Sequence, residues 1–249
     1  MDGSRAAGIA TFFCEERLEP GRTAELGESE AHHARVRRLE VGDAARLVDG
    51  AGTIASGTLS RLTKRSATVE VQSVSHVAPP PPVHLLAPVA DRDRMLWLAE
   101  KGTELGLTSW RAVLWRRSRG VSPRGEGEAF RAKLRARMIS ALTQSGGAWL
   151  PTILPDANGE DILEDTQPGV RCLLDVTGEP MLSVGLSAPL TIAMGPEGGL
   201  DEDERRRFAL AGWMPVSLGV TTLRFETAGT AALAIARAAF AANVESARG

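Results

Sequence analysis

The sequence predicts an α/β chain in two parts: a small N-terminal β-barrel, then a mostly parallel sheet covered by helices. Three observations predict it. Apolar residues recur with period two over much of residues 45–77. Residues 79–82 are four consecutive prolines, which cannot join a sheet ladder. From Val83 onward, short apolar runs alternate with helical patterns, as in a sheet assembled from βαβ units. The first part is placed at residues 1–77 and the second at residues 78–249.

Residues before Arg5 read as a flexible tail. Residues 11–13 form a candidate strand, and residues 28–39 a short helix carrying His32, His33 and three arginines. Strands follow at 45–48, 53–59 and 67–77, with a turn at Asp49, Gly50, Ala51 and Gly52. Several short strands in so small a span need mutual closure to protect their edges, hence a barrel. Beyond the prolines, residues 83–89 make a strand. Residues 92–105 make a helix with Met95, Leu98, Ala99, Gly102 and Leu105 on one face, stopped by Gly106. A strand at 111–115, a basic amphipathic helix at 126–144 and a strand at 170–176 continue the alternation.

The stretch from Leu190 onward organises the rest. Residues 190–194 are an apolar strand stopped by Gly195 and Pro196. Asp201 with Glu204 three positions on forms a capping box, so a helix starts there and Gly212 suits its end. A strand at 216–218 stops at Gly219, and a polar loop leads into an alanine-rich helix from about Glu226. Two strands thus bring two glycine-bearing loops to one sheet edge, where open α/β folds bind ligands. GPEGG alone fits a tight turn, a phosphate site or a nucleoside site. GxxxxGK[ST] and GxGxxG are both absent, which demotes phosphate and dinucleotide binding. The matching polar loop at 219–227 favours the nucleoside.

Composition bounds the partners. Lys and Arg number 29 against 31 Asp and Glu, a formal net charge of −2, so nucleic-acid binding must be local. Arginines cluster at Arg35, Arg37 and Arg38, at Arg116, Arg117 and Arg119, and over residues 131–137; acids gather at 160–165 and 201–204. Each cluster reads equally as a solvated helix face. Cys14 and Cys172 give neither a disulfide framework nor metal spacing, and the four histidines form no metal motif. No secretory signal and no run near the ~18 apolar residues of a membrane span are present, so a soluble cytoplasmic protein without metal is expected.

LTIAMGPEGGLDEDE, SLGVTTLRFETAGTAAL, MLWLAEKGTELGL and TQSGGAWLP together resemble the ribosomal RNA small-subunit methyltransferase E family of the SPOUT superfamily, over nearly the whole chain. The resemblance implies a PUA-like, RNA-binding barrel and a SPOUT domain whose C-terminal segment forms a deep trefoil knot, an exception to the rule against knots. It further implies a homodimer, S-adenosylmethionine as cofactor, and methylation of uridine N3 in 16S ribosomal RNA on the small subunit. Gly195, Glu197, Gly198, Gly199, Leu218, Gly219, Thr222 and Leu223 would surround the adenosine. A uridine N3 pKa roughly two units above neutrality makes the nucleophile cost about 2.7 kcal/mol. Arg224 would supply a cation for the charge on the uracil oxygens. Glu226 would accept the proton, orient Arg224, or simply serve as an acid at a helix N-terminus. His33, Arg35, Arg37, Arg38, Arg116 and Arg117 are the expected RNA contacts, through phosphates. Glu104 matches the family's ELG motif and is expected to be structural.

The chain departs from the family pattern at Val220, Thr221 and Phe225, where proline, arginine and threonine are usual, and at Gly147, where arginine is usual. A non-catalytic or substrate-shifted RNA-binding relative is therefore a competing expectation. A phosphate-binding hydrolase would need a loop lysine or metal carboxylates near Gly195, and the sequence has neither.

Overall fold

The structure is a computed structural model that describes residues 9–118, 124–164 and 168–246, with side chains described through Asn243. Arg119, Asp165 and the tail before Arg5 lie outside the described residues. The chain divides into two compact units, one running to Pro79 and including Leu142–Leu150, the other comprising Pro80–Ala141 and the chain from Pro151.

The first unit contains β1 (Ala10–Phe13), β2 (Thr23–Leu26), α1 (Glu28–Val36), β3 (Ala44–Val48), β4 (Thr53–Leu62) and β5 (Ala67–His76). Its five strands follow the order β1-β3-β4-β5-β2, parallel at β1–β3 and antiparallel elsewhere. Alternate residues point inward, so Phe12, Leu47, Leu59 and Val69 meet Ala31 and Ala34 of α1 in one core. β2 has the sequence TAEL, too short to announce itself by periodicity. Asp49 sets the β3–β4 turn by accepting the N–H groups of Ala51 and Thr53 at 2.8 and 2.9 Å. The segment around Gly147 joins this unit: Gly52 N–H donates to Ala148 O at 2.9 Å, and Arg46 donates to Gly146 O at 3.1 Å.

The second unit contains β6 (Val83–Pro88), α2 (Arg92–Glu104), β7 (Ser109–Leu114), most of α3 (Glu128–Ser145), β8 (Thr152–Ile153), β9 (Ala157–Asn158), α4 (Gly159–Glu164), β10 (Val170–Pro180), β11 (Leu190–Met194), α5 (Glu202–Leu210), β12 (Met214–Ser217) and α6 (Phe225–Ser246). The sheet order is β12-β10-β11-β6-β7-β8, with β9 also on β7, and every pairing is parallel. All five residues of β11 are buried, as a central parallel strand requires. Asp91 caps α2 by accepting the N–H groups of Asp93 and Arg94. Gly106, at φ +72°, ends it. Among the described residues no helix is long and apolar enough to cross a membrane.

α6 packs on α2, β6 and β11. Gly229 permits the close approach, since a Cβ there would lie 2.9 Å from Leu98 Cδ1 and from Met194 Sδ. Further along, Arg237 donates to Leu105 O at 2.9 Å and to Gly106 O, satisfying carbonyls at the end of α2, and to Pro81 O at 2.5 Å just before β6. Arg237→Ala strands these acceptors and should lower unfolding stability by roughly 2–3 kcal/mol in denaturant titration. Loss below about 0.5 kcal/mol would show that the three bonds are dispensable.

Candidate functional site

In a parallel sheet every strand ends at the same edge, so the loops leaving β10, β11 and β12 converge. They enclose a cavity of about 540 Å³, within the range of small-molecule sites. Its wall takes Gly195, Glu197 and Gly199 from the first loop and Leu218, Gly219, Thr222, Leu223 and Arg224 from the second. Gly198 is not in the wall. Its carbonyl turns away to accept from Arg117.

The first loop is braced from beneath. Gly199 donates its N–H to Pro196 O at 2.8 Å and adopts φ +66°, which glycine reaches without a Cβ penalty. Leu200 is then buried in the core. Asp201 caps α5 in a complete capping box with Glu204. The two arginines after β7 close the arrangement. Arg117 donates to Gly198 O at 3.1 Å and Leu200 O at 3.4 Å. Arg116 gives its backbone N–H to Glu204 Oε1 at 3.1 Å and its guanidinium to Asp201 and Asp203, each at 3.2 Å. The Glu204 N–H, with Arg116 beside it, lowers the Asp201 pKa.

The second loop runs from Leu218 into α6. Arg224 is exposed at the cavity, whereas Phe225 behind it is buried and contributes an apolar surface to the wall. Val220 and Thr221 are exposed. Glu226 lies in the first turn of α6, outside the wall; its Oε2 is buried with no hydrogen-bond partner among the described residues, and its Oε1 lies 3.9 Å from Arg94 Nε. Arg94 also holds Glu197 at 2.5 Å.

Arg94, Asp175 and Arg205 line the cavity and were not singled out from sequence. A signal existed for two of them: Arg94 sits in the helix turn after β6, and Asp175 is an acid interrupting the apolar run of β10. Burial raises the Asp175 pKa, but the Thr177 N–H and hydroxyl and then Arg205 outweigh it, leaving a lowered carboxylate.

The remaining expected contacts stand elsewhere. His33, Arg35, Arg37 and Arg38 are on or just after α1. His33 meets Phe12 edge-on at 5.6 Å, and burial, then Arg37, lowers its pKa, so it is neutral at pH 7. Lys101 pairs with Glu104 at 2.8 Å, and Arg137 with Glu100 at 3.0 Å, holding the α2 surface.

Known proteins share this architecture. An RNA methyltransferase domain family matches residues 78–237, and an RNA methyltransferase PUA domain family matches residues 26–72. The ribosomal RNA small subunit methyltransferase E of a Synechocystis strain is 31% identical over 223 residues, 85% of this chain and 72% of that protein. The protein of the same name from Bacillus subtilis is 25% identical, covering 88% of this chain and 91% of its own. Among solved structures, ribosomal RNA small subunit methyltransferase E from Neisseria gonorrhoeae, bound to S-adenosyl methionine, superposes with a TM-score of 0.84 at 28% identity, over 93% of this chain and 98% of that one.

The bracing has a measurable consequence. Arg117→Ala should accelerate hydrogen exchange at the Gly199 amide by about tenfold while leaving amides of β11 unchanged. Unaltered exchange at Gly199 would mean that Arg117 does not hold the loop.

Proposed function

Since the chain belongs to the ribosomal RNA small subunit methyltransferase E family and is an S-adenosylmethionine-dependent RNA methyltransferase, we propose that it methylates N3 of a uridine in 16S ribosomal RNA of the small subunit. The observation that carries this is the convergence of two glycine-bearing loops on one cavity with Arg224 at its wall.

The residues present fit the cofactor. The cavity has the volume for it, its glycine-bearing loops leave backbone groups accessible, and Asp175 and Glu197 place carboxylates in the wall beside a ligand that carries positive charge. Gly195, Gly199, Leu218, Gly219, Thr222 and Leu223 would hold the adenosine, with Glu197 and Gly198 shaping the first loop. When bound, S-adenosylmethionine supplies an electrophilic methyl group on a sulfonium sulfur. The chain's own part is to make and hold a nucleophile. Arg224, exposed at the cavity, stabilises the negative charge that N3 deprotonation spreads over the uracil oxygens. Glu226 is assigned the N3 proton: its buried Oε2 has no donor among the described residues, and it meets the N–H once substrate binding opens the first turn of α6 to the cavity. Its ion-pair partner is Arg94, 3.9 Å from Oε1, which orients it.

The N-terminal domain, placed at residues 1–77, carries the RNA-binding surface, with Arg37 and Arg38 on phosphates. Arg116 and Arg117 act on RNA only through the loop they brace. Val176 and Val220, exposed apolar side chains at or beside the cavity, suit burial against a second copy in a homodimer. β11 and β12 flank β10, and α6 returns over β11, an order compatible with the family's trefoil knot. The site of action is the cytoplasm, where small subunits reside.

The test is methyl transfer from labelled S-adenosylmethionine to small subunits lacking the modification, with the product nucleoside identified by mass spectrometry. 3-Methyluridine is expected; cofactor binding without transfer would favour the non-catalytic relative. Arg224→Ala should lower kcat by about 10²–10³ with cofactor affinity unchanged, and a wild-type kcat would remove Arg224 from the mechanism.

A further inference from the structure

Arg38 is the one non-glycine residue with positive φ, +58°, among the described residues. It occupies the position after the α1 C-cap, Arg37, in a Schellman turn: Arg38 N–H donates to Arg35 O at 2.9 Å and Leu39 N–H to Ala34 O at 3.0 Å. Glycine is the usual occupant there, because a side chain in the left-handed region crowds its own backbone. A strained residue that a simpler one would relieve points to a use for its side chain.

The surroundings indicate which use. Arg38 is exposed, and so are Lys64 and Arg65 in the turn between β4 and β5. That turn is rigid: Thr63 Oγ1 accepts the N–H groups of Arg65 at 3.2 Å and Ser66 at 2.9 Å. Arg35 joins it to the helix, donating to Ala31 O at 3.3 Å and to Lys64 O at 3.1 Å. The Arg35 guanidinium is therefore a strut that fixes the turn against the end of α1. Arg38, Lys64 and Arg65 pair with no carboxylate among the described residues, so three cations project from a preorganised frame without internal compensation.

We propose that Arg38, Lys64 and Arg65 form a phosphate-binding edge for the RNA backbone, with Arg35 as its positioning residue, and that Arg38 is kept in a strained backbone conformation for this contact. The proposal rests on the RNA methyltransferase reading above and adds Lys64 and Arg65, which the sequence did not mark. Phosphate contacts give affinity without sequence preference and a steep dependence on salt.

The test uses the full-length protein and small-subunit ribosomal RNA, with affinity measured across a salt series. Arg38→Gly should raise Tm by about 2–4 °C, weaken RNA binding roughly five- to tenfold and reduce the salt slope by about one. Lys64→Gln with Arg65→Gln should reduce the slope by about two at unchanged Tm. Arg35→Gln should produce a part of that loss, and Arg35→Lys should restore little, because a lysine cannot span both carbonyls in one plane. S-adenosylmethionine affinity should stay at wild type in every variant. If the unsubstituted protein methylates RNA and the variants bind with its affinity and slope, the edge is overturned and the enzymatic reading stands. If Arg38→Gly fails to raise Tm, the trade between strain and contact is overturned. If the unsubstituted protein neither binds nor methylates the RNA, both fall together.

Discussion

The site depends on one constraint, the common direction of all strands in the larger sheet. Parallel strands send their loops to a single edge, and hydrogen-bonded neighbours send them to adjacent places on it. β10 lies between β11 and β12, in register from Leu174 to both Met194 and Val216. The loops after Met194 and Ser217 therefore cannot avoid one another. Everything that gives the cavity its chemistry follows from that meeting: glycines where backbone must be accessible, a carboxylate from β10 at its floor, and α6 starting beside the end of β11 through the close approach at Gly229.

A loop rich in glycine gains reach at the expense of order, and the chain compensates with charge. Arg116 and Arg117 fasten the first loop and the start of α5 to the end of β7, using carbonyls and the capping residues as anchors. These pairs are exposed, and exposed ion pairs are individually weak. Their effect comes from geometry, because one guanidinium meets two carbonyls and the other three carboxylates, Asp201, Asp203 and Glu160. Arg35 performs the same service in the first unit, where it ties a turn to a helix. Arginine clusters in this sequence thus divide into struts and surface, a division that residue type alone does not reveal.

Much of the fold was legible because its signals were local. The capping box at Asp201 and Glu204 and the stop at Gly106 are each decided by a few neighbouring residues, and the structure contains both; the expected alternation of β5 holds from Val69 to Gln72 but not along the whole strand. β2, β8 and β9 were not read, since strands of two to four residues are defined by their partners and not by period. The attachment of Leu142–Leu150 to the first unit was equally hidden, because it rests on bonds to Gly50, Gly52 and Arg46 about a hundred residues away. At the candidate site, the two loops were visible as motifs. Arg94 was not, since its importance lies in reaching Glu197 and Glu226 from another element.

Both cysteines are buried, Cys14 in the first core and Cys172 in the central strand β10. Burial raises both thiol pKa values, Cys172 to about 11, so almost no thiolate forms at neutral pH. The native thiols therefore react slowly with alkylating probes, and a cysteine introduced at an exposed position such as Thr221 would be the reactive thiol. A single fluorophore or spin label could then report on the second loop without first removing native residues from either core.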